Sequence, residues 1–218
     1  RLTFDAGADT YPFFSPDGKQ IVFARRGAAG QDLYLKSVSG LGPEEVILKG
    51  VDHATEWSPD GKLIFYNSLD GDLWALPETG DRKPFPILNQ KFNERRGKVS
   101  PDGRWLLYSS NETGRFEIYV QTYPPGGGKW QVSVDGANYA YWRRDGREII
   151  FDSADKRKIL AADVKPGATF EASVPRVLVE LPSPSLGARI GITADAQRFL
   201  VPLSPKAGDR PTLTTVLN

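Results

Sequence analysis

The chain has 218 residues, with 28 lysines and arginines against 27 aspartates and glutamates, which leaves a formal net charge of +1. This balance gives no basic surface of the kind that nucleic acids require, and no apolar stretch is long enough to insert into a membrane as a helix. Cysteine is absent, so disulfides, thiolate metal sites and a cysteine nucleophile are excluded. Methionine is also absent, and we expect the sequence to be a piece of a longer protein.

The predicted strands follow in chain order, four to a unit. In the first two units they span 12–15, 20–25, 32–38 and 45–49, then 55–58, 63–67, 72–76 and 85–88. In the next two they span 97–100, 105–109, 117–122 and 130–134, then 139–142, 148–151, 158–164 and 176–181. The last unit has only three, at 189–193, 198–201 and 212–217. Residues 1–4 are predicted as a lone strand that pairs beside 212–217 and completes this unit.

One four-residue motif separates the first and second strands of the units. Ser-Pro-Asp-Gly occupies 15–18, 58–61 and 100–103, and altered copies occupy 143–146 and 193–196. The repeats that follow from this spacing span about 5–49, 50–90, 91–135, 136–181 and 182–218 with 1–4, and such a period is typical of repeat architectures. Proline sets the first corner, aspartate binds the backbone that follows, and glycine accepts a left-handed conformation. Each copy therefore predicts a tight turn between two strands.

The second strand of every unit is a continuous apolar run, as at 63–66 and 105–108. A sheet with one wet face would alternate apolar and polar residues, so each of these sheets must be covered on both faces. Four-stranded antiparallel units that cover one another describe a β-propeller. We therefore predict one all-β domain over 1–218, a propeller of five blades. The alternative is a five-blade portion of a six-bladed ring.

These motifs resemble the TolB-type, WD-repeat-like propeller family. The resemblance rests on an aromatic residue before the turn, such as Phe14 or Trp57, and on an acidic, an apolar and an aromatic residue in the third strand, such as Asp32-Leu33-Tyr34. Longer stretches resemble the C-terminal propellers of bacterial receptor-like serine/threonine protein kinases. They span 80–86, 111–115, 128–133, 142–146, 166–172 and 214–218.

The resemblance to receptor-kinase propellers implies a function and a location. It implies the periplasmic or other extracytoplasmic part of a bacterial signalling protein, which acts as a non-catalytic sensor or protein-interaction module. The kinase signatures themselves are absent from the sequence. The alternative is a propeller that gates a separate hydrolase or peptidase domain outside this chain.

Residues that could carry chemistry are few. The only histidine, His53, has Asp52 beside it, and the pair is either a base or metal ligand or simply a histidine at the mouth of the channel. No Gly-X-Ser-X-Gly elbow is present, and no serine has a second base. Asp5, Asp9 and the aspartates at 70 and 72 could hold calcium, although Asx turns explain them equally well. We predict no catalytic residue, no cofactor and no metal.

The acidic residue that opens the third strand recurs in three units, as Asp32, Asp72 and Glu117. Repetition in successive blades favours a structural role, such as accepting hydrogen bonds from loop amides. The loops before the first strand and after the second strand differ from unit to unit, as recognition surfaces do. They share one face of a propeller, and we predict that this face binds a protein or peptide. The binding-face candidates are His53, Glu56, Phe92, Arg95, Arg96 and Tyr139.

Overall fold

The computed structural model of the chain describes residue 3 and residues 7–186, 190–193, 195–204 and 212–217, the last of these by backbone alone. The described residues form nineteen strands and no helix. Accordingly, no helix long and apolar enough to cross a membrane occurs among them.

The strands fall into five antiparallel sheets in sequence order, which we call blades 1 to 5. Blade 1 contains β1 (Asp9–Phe14), β2 (Gln20–Gly27), β3 (Gly30–Ser37) and β4 (Glu45–Val51). Blade 2 contains β5 (His53–Trp57), β6 (Leu63–Asn67), β7 (Leu73–Pro77) and β8 (Phe85–Leu88). Blade 3 contains β9 (Glu94–Val99), β10 (Trp105–Ser110), β11 (Glu117–Thr122) and β12 (Lys129–Gln131).

Blade 4 contains β13 (Ala140–Trp142), β14 (Glu148–Asp152), β15 (Lys158–Asp163) and β16 (Arg176–Glu180). Blade 5 contains three described strands, β17 (Gly191–Ile192), β18 (Arg198–Leu203) and β19 (Thr212–Leu217). The predicted all-β architecture of four-stranded units is confirmed. The expected pairing of strand 1–4 lies outside the described residues, because 1, 2 and 4 are not among them, and ring closure stays a prediction.

Among the described side chains, four apolar cores lie between successive blades, and the second strand of each inner blade serves two of them. Ile64 and Tyr66 face blade 1, whereas Phe65 between them faces blade 3. The prediction that these sheets are covered on both faces is therefore confirmed. Representative members of the four cores are Val22 with Trp57, Phe65 with Leu106, Leu107 with Phe151, and Ile150 with Phe199.

The turns between first and second strands lie at one end of the blades, which we call the turn face. The Ser15 hydroxyl donates to Asp17 Oδ1 at 2.6 Å, and the same oxygen accepts the Lys19 N–H at 3.0 Å. Gly18 takes a φ of +71°, which favours glycine. These bonds recur at 58–61 and 100–103, and they also lower the pKa of Asp17 below its usual value. The predicted turn is confirmed.

The altered copies of the turn keep its geometry by other means. In blade 4, Arg143 replaces serine, and its Nε donates to Asp145 at 2.7 Å, which lowers the pKa of that carboxyl to about 2. In blade 5, the Thr193 hydroxyl donates to Asp195 at 2.5 Å. The aspartate is therefore the part of the motif that the turn depends on, while the residue that binds it varies.

The outer strand of blade 3 is shorter than predicted. The prediction was 130–134, but β12 ends at Gln131, and Val134 is exposed. The reason is Ser133, whose hydroxyl accepts the Ile118 N–H at 2.8 Å and so replaces a backbone carbonyl in the ladder. The chain leaves the sheet at that point.

Candidate functional site

The first strand of each blade is the innermost, and in blades 1 to 3 it carries a β-bulge. The register shifts between Thr10 and Phe13, between Ala54 and Glu56, and opposite Leu107 in blade 3. A bulge leaves residues unpaired and re-aims their side chains. Here it frees the inner strands to turn side chains towards the centre of the array.

Inner-strand side chains from four blades meet in one cavity, whose space including its open mouth is about 310 Å³. It lies beside the loops before the first strands and after the second strands, which form what we call the channel-mouth face. The cavity is lined by Tyr11, His53, Thr55, Arg96, Lys98, Tyr139, Ala140 and Tyr141. Aromatic and cationic groups dominate this lining.

Arg96 is held at the cavity by its neighbours in blade 4. Its guanidinium donates to Asn138 Oδ1 at 2.5 Å and to the Tyr139 hydroxyl at 3.1 Å. The guanidinium carbon also lies 4.0 Å from the centre of the Tyr139 ring. Arg96 has a φ of +58°, a left-handed conformation that is uncommon outside glycine. The position is strained, and the contacts across the blade boundary hold the side chain in place.

A second cation lies next along the same strand. The Lys98 ammonium is 3.8 Å from the centre of the Tyr141 ring, so two cation–π pairs stand side by side between blades 3 and 4. The order along both strands is the same, because Arg96 and Lys98 are two residues apart, as Tyr139 and Tyr141 are. Such pairs contribute about 0.5–2 kcal/mol each, and more where they are desolvated.

His53 closes the blade 2 side of the cavity. Its Nδ1 lies 3.0 Å from Asp52 Oδ2, and its ring centre lies 5.0 Å from that of Tyr11. The hydrogen bond from His53 lowers the pKa of Asp52, with smaller contributions from the charges of Arg95 and Arg96. No set of three histidine or acidic side chains suited to a metal occurs in the described part of the chain. The structure places His53 at the channel mouth.

Three of the six predicted binding-face residues share this cavity, namely His53, Arg96 and Tyr139. The other three are not among its lining residues. Arg95 turns away, and its guanidinium stacks over the Phe116 ring at 5.2 Å. Glu56 is half-buried on β5, and Phe92 is half-buried in the loop before β9.

The sequence prediction missed Tyr11, Thr55, Lys98 and Tyr141. Three of them stand at a fixed distance from the turn motif, which is the signal that could have found them. Tyr11 precedes its turn aspartate by six residues, as Arg96 and Tyr139 do, and Lys98 and Tyr141 precede theirs by four. The prediction placed the binding residues in the loops, whereas these side chains come from the inner strands.

Hydrogen bonds from the Asn67 side chain join blades 2 and 3 behind the cavity. The fully buried Asn67 donates to the Glu94 carbonyl at 3.0 Å, and its Oδ1 accepts the Arg96 N–H at 3.2 Å. Burial raises the pKa of the Glu94 carboxyl to about 7, and the nearby charges of Asp72 and Glu112 add to this. Asn67 therefore fixes the backbone from which Arg96 projects.

The acidic residues of the third strands have the structural role that was predicted in two of the three cases. Asp32 accepts the Gly50 N–H at 3.1 Å, and Glu117 accepts the Gly136 N–H at 2.8 Å. For Asp72 the structure instead gives a pKa raised by burial and by the charge of Asp70. Asp9, considered for calcium, is bound to Arg25 at 2.7 Å.

Comparison with known proteins places the fold. No family model matches the chain. Over 99% of its length the chain is similar in structure to TolB from Acinetobacter baumannii, with a TM-score of 0.79 and 20% identity. It is similar over its whole length to an oligogalacturonate lyase from Vibrio parahaemolyticus, with a TM-score of 0.62, 11% identity and 78% of that chain covered. At these identities the likeness establishes the TolB-like propeller fold.

One curated relative is similar in sequence. It is the uncharacterized protein Atu1656 of Agrobacterium fabrum, which is 27% identical over 127 residues, or 57% of this chain. The chain spans 40% of that protein and 53% of the Acinetobacter TolB chain, so it corresponds to about half of each.

Proposed function

We propose that this propeller is a non-catalytic module that binds a protein or peptide on its channel-mouth face. The observation that carries the proposal is the cavity, where inner strands of four blades bring tyrosines, an arginine, a lysine and a histidine together at one opening. Tyrosine and arginine supply much of the energy of protein recognition, because they bury large areas and keep directional contacts.

The state of the polar groups supports binding over catalysis. The serine hydroxyls of the repeated turns donate to their own aspartates, at 2.6 Å for both Ser15 and Ser58. The single histidine is bound to Asp52, and the Thr55 hydroxyl beside it donates to the Gly97 carbonyl at 3.1 Å. A nucleophile needs a base within hydrogen-bond reach, and these hydroxyls are directed elsewhere.

We further propose that the module is the extracytoplasmic part of a bacterial signalling protein. The support is the resemblance of 111–115, 142–146 and the other segments to receptor-kinase propellers, together with the likeness in fold to TolB. Because the chain spans about half of its relatives, the activity of the whole protein is carried in part by other segments under this proposal.

The test uses the absence of cysteine, which lets one introduced thiol be labelled alone. Peptides are first selected for binding by display on the unmodified module. Lys91→Cys and Lys62→Cys then place a polyethylene-glycol maleimide at exposed positions on the channel-mouth face and the turn face respectively. We expect the label at position 91 to weaken the selected peptides at least about tenfold, or 1.4 kcal/mol, and the label at 62 to have little effect. The reverse pattern would show that the wrong face was assigned.

A further inference from the structure

We propose that the cavity around Arg96 takes a carboxylate of the bound peptide, either an acidic side chain or the terminal carboxylate. This inference rests on the proposed function, since it assigns the ligand chemistry at the same face. It goes further by naming the charge that the site selects and the side chains that select it.

The buried and half-buried arginines differ in their partners. Arg25, Arg82 and Arg143 each pair with a carboxylate at 2.5–2.7 Å. Arg95 and Arg96 form no ion pair with a carboxylate in the described part of the chain. Arg95 is covered by an aromatic ring outside the cavity, so Arg96 is the cation within it whose hydrogen bonds go to neutral oxygens alone.

Several hydrogen-bonding groups near Arg96 are already engaged within the chain. Three acceptors each receive a hydrogen bond: Asn138 Oδ1 from the guanidinium, Asn67 Oδ1 from the Arg96 N–H, and Asp152 Oδ1 from the Tyr139 N–H at 2.9 Å. The buried Arg96 Nε has no partner among the described residues, so the chain itself compensates the guanidinium charge only in part. The Tyr139 hydroxyl accepts from Arg96 and keeps its own proton to donate. An ionised carboxylate accepts and does not donate, so it matches this set.

The charge of Arg96 also favours a carboxylate. A guanidinium removed from water loses hydration, and a carboxylate at hydrogen-bond distance compensates for that loss better than a neutral acceptor does. The Tyr139 ring against the guanidinium limits the entry of water from that side and strengthens such a pair. Asp52 and Asp152 lower the local positive potential but are themselves bound to His53 and to backbone amides.

A peptide suits the cavity better than an acidic sugar. Each sugar hydroxyl brings a donor as well as an acceptor, and a ring of them needs several free acceptors in the site. The acceptors described above already receive hydrogen bonds from the chain, whereas a single carboxylate on a flexible side chain needs only donors. An acidic sugar is therefore kept as an outcome of the test.

The test uses His53, which is the only histidine and a single NMR reporter in the cavity. The probes are the blocked peptide acetyl-Ala-Glu-Ala-amide, its Gln counterpart, acetyl-Ala-Ala-Ala with a free carboxylate, and galacturonate. We expect saturable shifts of the His53 imidazole with the carboxylate peptides, and at least about tenfold weaker binding of the Gln peptide. Equal affinities of the Glu and Gln peptides, or no saturable shift with either carboxylate peptide, would overturn the proposal. Tighter binding of galacturonate than of both carboxylate peptides would overturn the assignment to a peptide.

Variants identify the residue responsible. Arg96→Gln should remove the preference for Glu over Gln, whereas Arg144→Gln, the same change of charge at an exposed residue of the turn face, should leave it within about twofold. If Arg96→Gln fails to fold, Tyr139→Phe removes one donor and keeps the ring, and we expect it to weaken the Glu peptide about threefold to tenfold. An unchanged preference in Arg96→Gln would refute the role of Arg96, and an unchanged affinity of Tyr139→Phe for the Glu peptide would refute the proposed set of donors.

The two proposals fail separately. If display-selected peptides bind the channel-mouth face but ignore Arg96→Gln and carry no carboxylate preference, this inference is wrong and the proposed function stands. If their binding is blocked from position 62 and not from 91, the proposed function itself is wrong.

Discussion

The repeated turns and the wall of the cavity use their polar side chains in different ways. On the turn face, Asp60 binds a serine and an amide of its own turn, two residues away on each side. On the channel-mouth face, Asn67 and Arg96 reach groups 27 to 42 residues away in the next blade. A motif that closes on itself stabilises one unit and is free to repeat. The side chains of the cavity wall that cross between units differ from blade to blade, and under the proposed function these present a surface to a ligand.

The largest change in stability should come from Asn67, whose side chain joins blades 2 and 3. Asn67→Ala leaves the Glu94 carbonyl and the Arg96 N–H buried without their side-chain partner, so we expect a loss of about 3 kcal/mol in the free energy of unfolding. Asp60→Ala, which disturbs one half-exposed turn, should cost about 1 kcal/mol. Chemical denaturation of both variants measures the difference. Equal losses would show that the two ends contribute alike.

The next largest effect is a pH dependence of the free energy of unfolding, which we expect from Glu94. The folded-state pKa of Glu94 is raised to about 7 by burial, against an ordinary value near 4.5. The folded protein therefore favours the protonated carboxyl, and this contribution is present at low pH and is lost as the pH rises from about 4.5 to about 7. Glu94→Gln removes the ionisation. We expect the variant to gain roughly 2 kcal/mol over the wild type between pH 5 and pH 8.

Unfolding curves of the wild type and Glu94→Gln at pH 5 and pH 8 provide the measurement. Asp17→Asn is a useful control, because Asp17 lies on the turn face and its pKa is lowered by the hydrogen bond from Ser15. Its contribution falls away only at acidic pH, so the difference between wild type and this variant should barely change over the same range. If wild type and Glu94→Gln differ in the free energy of unfolding by the same amount at pH 5 and pH 8, the raised pKa of a buried Glu94 carboxyl is contradicted.

The smallest effect tests a turn of the repeated type that lies on the channel-mouth face. The Ser153 hydroxyl donates to Asp155 at 2.5 Å, as in the turns of the other face, and Lys156 takes a φ of +58°. Gly71 and Gly114 occupy the same place in blades 2 and 3 with positive φ. Lys156→Gly should relieve the strain and stabilise the protein by about 0.5 kcal/mol. A thermal melt of this variant beside a half-buried control, Lys158→Gly within β15, should show opposite signs.

The fold was predictable because it rests on local signals that recur. The aspartate–glycine turns and the apolar second strands fixed the number and order of the blades within the described residues, with Ile64, Phe65 and Tyr66 alternating between two cores as expected. The site was less accessible. His53, Arg96 and Tyr139 were predicted, but Lys98 and Tyr141 were not, because the prediction searched the loops, whereas these two side chains meet between the inner strands of separate sheets, more than 40 residues apart. Ser133 shortened β12 by a side-chain bond that strand propensity does not report.

The residues that line the cavity are largely separate from those that form the cores, and this makes the propeller a template for engineering. Apart from Ala140, no lining residue of the cavity belongs to an inter-blade core. A combinatorial library could therefore randomise the lining positions other than Ala140 while the cores stay untouched. Tyr11 and Arg96 have φ values of +50° and +58°, so the codons there should favour asparagine, aspartate and glycine and omit valine, isoleucine and threonine. Selection from such a library would yield receptors whose binding specificity is set by the side chains that each blade contributes to the cavity.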